Sequence, residues 1–127
     1  MRLIIVGCGR IGAELALTSS ARGHQVTVID RERDAFERLG TGFHGRTILG
    51  SVLDQEVLQR AGIEDADGLA AVTSDDATNF VTARLARRIY QVPNIVARVF
   101  DPAQLQTFEG QGIQAVASSS WGAKRIE

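Results

Sequence analysis

Three glycines in the stretch GCGRIG, Gly7, Gly9 and Gly12, have the spacing of a turn that cradles phosphate. The chemistry they permit is anion binding by the main chain. Gly7 allows the tight turn, Gly9 lets a pyrophosphate approach the backbone, and Gly12 lets a helix pack closely on the strand. The N–H groups at the start of that helix then point at the phosphates, and the helix dipole adds to the attraction. Asp30 supplies the second half of the pattern, 21 residues after Gly9. An acid there accepts hydrogen bonds from the hydroxyls of an adenosine ribose. It also repels a 2′-phosphate, which favours NAD over NADP, although Arg31 beside it works in the other direction. ATP, ADP and AMP carry the same ribose, so Asp30 indicates adenosine and not a whole dinucleotide. The bland alternatives are a bare glycine turn and an aspartate that only caps the next helix.

Other reactive side chains are few. Cys8 lies inside the turn, where a helix N-terminus can lower a thiol pKa. It needs a base, and the two histidines, His24 and His44, fall in expected loops. An inert small residue filling the turn is the preferred reading. Asp75 and Asp76 could form a catalytic pair, but they fit better as caps of the helix that begins there. One cysteine and two histidines 20 residues apart make a poor zinc set.

These residues are positioned by alternating strands and helices. Strands are expected at 2–6, 25–30, 46–49, 68–72, 95–99 and 114–117. Helices are expected over 10–22, closed by Gly23, over 32–39, with Ala35, Phe36 and Leu39 on one face, and from the cap Asp54 to Ala61, closed by Gly62. Gly40, Gly42 and Gly45 mark a loop. After the polar turn TSDDATN, the apolar residues Ala77, Val81, Leu85 and Ile89 recur at four-residue steps, marking a long amphipathic helix. Pro93-Asn94 breaks it, and Asp101-Pro102 opens another. The pattern predicts an α/β fold: a Rossmann-like, doubly wound parallel sheet of about six strands with helices on both faces and right-handed crossovers.

The chain has 127 residues, one domain's worth, and a net charge of −1. That charge gives no general pull toward nucleic acid or an anionic membrane. Arg84, Arg87 and Arg88 cluster on one expected helix, as a solvated face or a docking patch. A single cysteine fits a reducing cytoplasm. No run of 18 apolar residues is present, and Met1-Arg2 leads straight into a strand, leaving no room for a signal peptide. The final SSSWGAKRIE begins like a further helix without a partner. Either the chain is a piece of a longer protein, or this end packs on another subunit.

A dehydrogenase must hold a substrate and a proton donor or acceptor near the nicotinamide. Here the whole length goes into the nucleotide fold, with no His/Asp or Ser/Lys arrangement of convincing spacing. A module that binds a nucleotide and reports the fact is the expectation. The rivals are the cofactor-binding half of an NAD-dependent oxidoreductase and a dimerisation module with a vestigial pocket.

The sequence resembles the N-terminal nucleotide-binding domain of proteins that regulate potassium conductance, the RCK, KTN or TrkA-N family. The resemblance rests on GCGRIG, VTVID, ILGSVLDQEVLQRAGIEDADGLAAVTSDDATN and PNIVARVFDP, and covers essentially the whole chain. It implies that Gly7, Gly9, Arg10, Ile11 and Gly12 form the phosphate turn. Asp30 would be the ribose acid, and Arg31 its neighbour beside the adenine. Ser51 and Val52 would line the adenine side. The family often has Gly-Asp there, so Ser51 is a departure that bears on base preference. Thr73 and Ser74 would face the second phosphate or the nicotinamide, with Asn79 holding that loop. Arg98 would approach phosphates, or serve as an ion-paired arginine at a strand end. The resemblance further implies NAD or NADH as ligand, with ATP, ADP or AMP as alternatives, and no catalysis. It implies a homodimer or a larger ring on a potassium-conducting membrane protein, placed at the cytoplasmic face, with Trp121 buried in a partner. The charge and the apolar runs described above add the expectation of no nucleic-acid partner and no direct membrane insertion. Complete members continue into a smaller C-terminal ligand domain, which these 127 residues do not contain.

Overall fold

A computed structural model describes residues 1–117. The expected helix in SSSWGAKRIE and the partner-buried Trp121 lie outside the described residues. Six strands form one parallel sheet: β1 (Arg2–Val6), β2 (Gln25–Asp30), β3 (Arg46–Leu49), β4 (Gly68–Ala71), β5 (Asn94–Val99) and β6 (Gln114–Ala117). Their order across the sheet is β3-β2-β1-β4-β5-β6. The chain therefore moves outward on one side of β1 and returns to begin again on the other, at β4. The C-terminal ends of β1 and β4 border the switch point where such sheets bind ligands.

Two apolar cores hold the layers together, one on each face, because successive strand residues point to opposite sides. Ile4 and Val6 of β1 face one core with Ile29, Leu69, Ala97 and Phe108. Ile5 faces the other with Val26, Val28, Ala16 and Leu39. Helix α1 (Arg10–Ala21) lies on the second face, while α2 (Gln55–Arg60), α3 (Asp76–Arg88) and α4 (Leu105–Glu109) supply the first.

Three local expectations are revised. The helix placed at 32–39 is a 3₁₀ segment, Arg33–Gly42, interrupted at Gly40, whose φ of 63° and ψ of −160° leave the helical path. Ala35 and Leu39 are buried there and Phe36 is half-buried, and they pack the segment onto the core beneath α1. The opening at Asp101 is likewise a 3₁₀ turn, Pro102–Gln104, which runs into α4. The stripe Ala77, Val81, Leu85 and Ile89 is not the buried face of α3. Val81 is 41% exposed and Ile89 61% exposed, whereas Asn79, Thr82, Ala83 and Ala86 are fully buried. Small residues let the helix sit close to β4 and β5, and the buried Asn79 is held by hydrogen bonds. Arg84, Arg87 and Arg88 point outward. No helix among the described residues is long and apolar enough to cross a membrane.

Candidate functional site

The glycine turn joins β1 to α1 at the switch point. Gly7 has φ +103°, open to glycine with little strain. A Cβ on it would stand 3.0 Å from the Cα and N of Thr73, so the turn and the loop after β4 meet there. Gly12 packs even closer: its Cβ would fall 1.8 Å from the Gly7 carbonyl oxygen. Gly9 is the opposite case. No atom lies within 4 Å of where its Cβ would stand, which leaves room for a ligand against the main chain. Helices α2 and α3 open on Asp54 and Asp75, whose carboxylates accept hydrogen bonds from their own first turns. Helix α1 opens on Gly9 with no side-chain cap and no acid in its first turn. Its leading amides, those of Arg10 and Ile11 among them, are left for an external anion.

Asp30 ends β2 beside this turn. Its Oδ2 accepts from the Cys8 amide at 2.7 Å and its Oδ1 from the Glu32 amide at 2.8 Å. Each oxygen keeps a further acceptor direction for a ribose hydroxyl. The Cys8 thiol is buried, and burial, with the Asp30 charge adding and Arg38 opposing, pushes its pKa up to about 11. It stays protonated at neutral pH. His24 and His44 line a separate hollow with Arg2 and Arg46, at the N-terminal ends of the strands, so neither serves Cys8 as a base.

On the far side of the switch point the loop after β4 is tied down by Asn79, which is fully buried. Its Oδ1 accepts from the Thr73 amide at 3.0 Å and the Thr73 hydroxyl at 2.6 Å. Its Nδ2 donates to the carbonyls of Thr73, at 3.1 Å, and Arg98, at 2.9 Å. Asp75 caps α3 through the Thr78 amide and hydroxyl, and those bonds hold its carboxyl below its ordinary pKa. Asp76 instead reaches across to β5, accepting from the Phe100 and Asp101 amides at 2.7 and 2.9 Å. Asn79→Ala strands a buried amide and two buried carbonyls, and is expected to lower stability by about 2 kcal/mol. Urea unfolding checks this; a midpoint equal to the parent's would show that the bonds carry no net stability.

The crevice between these walls has a volume of about 850 Å³, within the range of cofactor sites. Nine of the twelve residues singled out in the sequence line it: Gly7, Gly9, Asp30, Arg31, Ser51, Val52, Thr73, Ser74 and Arg98. The Ser51 hydroxyl accepts from the Leu53 amide at 3.2 Å, so this departure from Gly-Asp holds its own loop. The Arg98 guanidinium lies over the Phe100 ring, 4.3 Å from its centroid, and burial lowers its pKa, with Asp76 opposing. Arg10, Ile11 and Gly12 do not line the crevice. Arg10 is exposed, while Ile11 and Gly12 are buried against the sheet, so Ile11 can offer the site only its amide. Sequence reading missed Arg38, which reaches back to the turn from the 3₁₀ segment. Its one sequence cue is its place next to the core residue Leu39. Among the described residues, no three His, Cys, Asp or Glu side chains are grouped to hold a metal ion.

The profile of the TrkA-N domain matches residues 3–119. The chain belongs to the TrkA-N family. This TrkA-N domain is 43% identical over 126 residues to the Trk system potassium uptake protein TrkA of Streptomyces coelicolor, covering 99% of the chain and 56% of that protein. It thus spans only about half the length of that relative. Among solved structures it superposes on the TrkA-N domain of the inner membrane protein ybaL from Escherichia coli with a TM-score of 0.85, at 23% identity, covering 98% of this chain and 93% of that one. It superposes on the GsuK channel bound to NAD with a TM-score of 0.82, at 25% identity, over 98% of this chain and 22% of the channel. The expected Rossmann-like, doubly wound architecture of the TrkA-N domain is thereby found in both sheet order and structural kin.

Proposed function

We propose that the chain binds an adenine nucleotide in this crevice and acts as the sensing domain of a potassium uptake system. NAD or NADH is the first candidate, with ATP, ADP and AMP sharing the ribose contact. The observation that carries this reading is the pairing of two features across one turn. The amides of α1 are uncapped beneath the open space over Gly9, and the Asp30 carboxylate stands at the end of the neighbouring strand. In this reading the glycine turn and the Arg10 and Ile11 amides hold phosphate, and Asp30 holds the ribose. Arg31, Ser51 and Val52 flank the adenine. Thr73, Ser74 and Arg98 face the far half of the ligand.

The role is regulatory and not catalytic. Kinship to a potassium uptake protein supports that direction, as does the protonated thiol of Cys8 far from any histidine. Binding regulates by favouring one of two arrangements of paired domains, since a ligand shifts an equilibrium only through differential affinity. The exposed apolar side chains of Val81 and Ile89 on α3 support a homodimer or ring. The assembly would sit at the cytoplasmic face of a potassium-conducting membrane protein.

Thermal unfolding against NAD, NADH, ATP, ADP and AMP tests the proposal. A nucleotide at about 100 times its Kd stabilises by roughly 2.7 kcal/mol, a rise of several degrees. No shift with any of the five at millimolar concentration would remove it.

A further inference from the structure

We infer that Arg38 is a specificity-determining residue of the crevice, one that reads the phosphate charge of the nucleotide; this rests on the nucleotide-binding reading above. Leu39 anchors the 3₁₀ segment in the core, which leaves Arg38 exposed at the rim facing the glycine turn. Its Nη1 donates to the Cys8 carbonyl at 3.4 Å, and it lines the crevice with Gly7, Cys8, Gly9 and Asp30. A bond of that length to a neutral oxygen is weak. No carboxylate lies within ion-pairing distance of Arg38 among the described residues. The rest of its five-donor fork has no protein acceptor there, and that fork matches a phosphate in two-point fashion.

The position separates two tasks. Asp30 and Arg38 flank the same residue: Asp30 takes the Cys8 amide and Arg38 its carbonyl. Their opposite charges are both felt at the Cys8 thiol. The carboxylate suits a neutral ribose, while the guanidinium suits the anionic group that Gly9 admits next door. Arg38 therefore grades nucleotides by phosphate charge and contributes little to the adenosine half.

Calorimetry of the parent chain, Arg38→Gln and Arg38→Lys with adenosine, AMP and ADP, at two salt concentrations, tests this. Adenosine is read by displacement of ADP. Arg38→Gln should bind ADP about tenfold more weakly, with a shallower salt dependence, and adenosine within about twofold of the parent. Arg38→Lys should recover part of the ADP affinity. Unchanged ADP binding by Arg38→Gln would overturn the assignment and leave the proposed function standing. An equal loss for adenosine and ADP would overturn it too, since that marks a collapsed turn. A parent chain that binds none of the three would overturn this inference and the proposed function together.

Discussion

Gly12→Ala is expected to lower the melting temperature by roughly 10 °C, from a loss of about 3 kcal/mol. The added methyl would stand 1.8 Å from the Gly7 carbonyl oxygen and 2.9 Å from its carbonyl carbon. Both are main-chain atoms of a turn pinned on its other side, where the Gly7 amide donates to the Ile29 carbonyl at 2.8 Å. No side-chain rotation relieves such a contact, so α1 must slide off β1. The same displacement moves the amides that face the open space over Gly9. Gly9→Ala separates the two effects. Its methyl meets no protein atom within 4 Å, so this variant should fold normally and bind nucleotide poorly. Thermal unfolding of both variants checks the contrast. A Gly12→Ala chain as stable as the parent would mean that helix and strand are not in the close contact described.

Asp30→Ala is expected to weaken binding of NAD or ADP about 100-fold, the loss of charge-assisted hydrogen bonds to ribose hydroxyls. Because Asp30 also accepts from the Cys8 and Glu32 amides, the folded chain should lose about 1 kcal/mol as well. Affinity and stability must therefore be measured separately, by calorimetry well below the melting temperature and by urea unfolding. If nucleotide affinity stays within about twofold of the parent, Asp30 does not touch the ligand.

Much of this architecture was legible because parallel strands covered on both sides are nearly continuous apolar runs. LIIV and VTVID declare themselves in that way. The glycine turn and Asp30 were equally readable, since each acts through local backbone shape or a strand end. Helix α3 was harder. Its most apolar residues, Val81, Leu85 and Ile89, form a regular stripe, yet the sheet takes the face with Asn79, Ala83 and Ala86. Side-chain size and a hydrogen-bond network decided the matter there, and hydrophobic periodicity registers neither. The 3₁₀ segment escaped notice for a related reason. Gly40 closes the run where the glycines mark a loop, but Ala35, Phe36 and Leu39 carry the spacing of an α-helix, and that spacing does not register the tighter winding. Arg38 escaped notice as well, because its contact with Cys8 spans 30 residues and leaves no local pattern.

The most direct test is a crystal structure of the chain grown with NAD. The account predicts the adenosine ribose hydroxyls within hydrogen-bond distance of the Asp30 carboxylate, with the pyrophosphate lying against the Gly9 main chain. NAD seated elsewhere, or a crevice left vacant at saturating concentration, would contradict it.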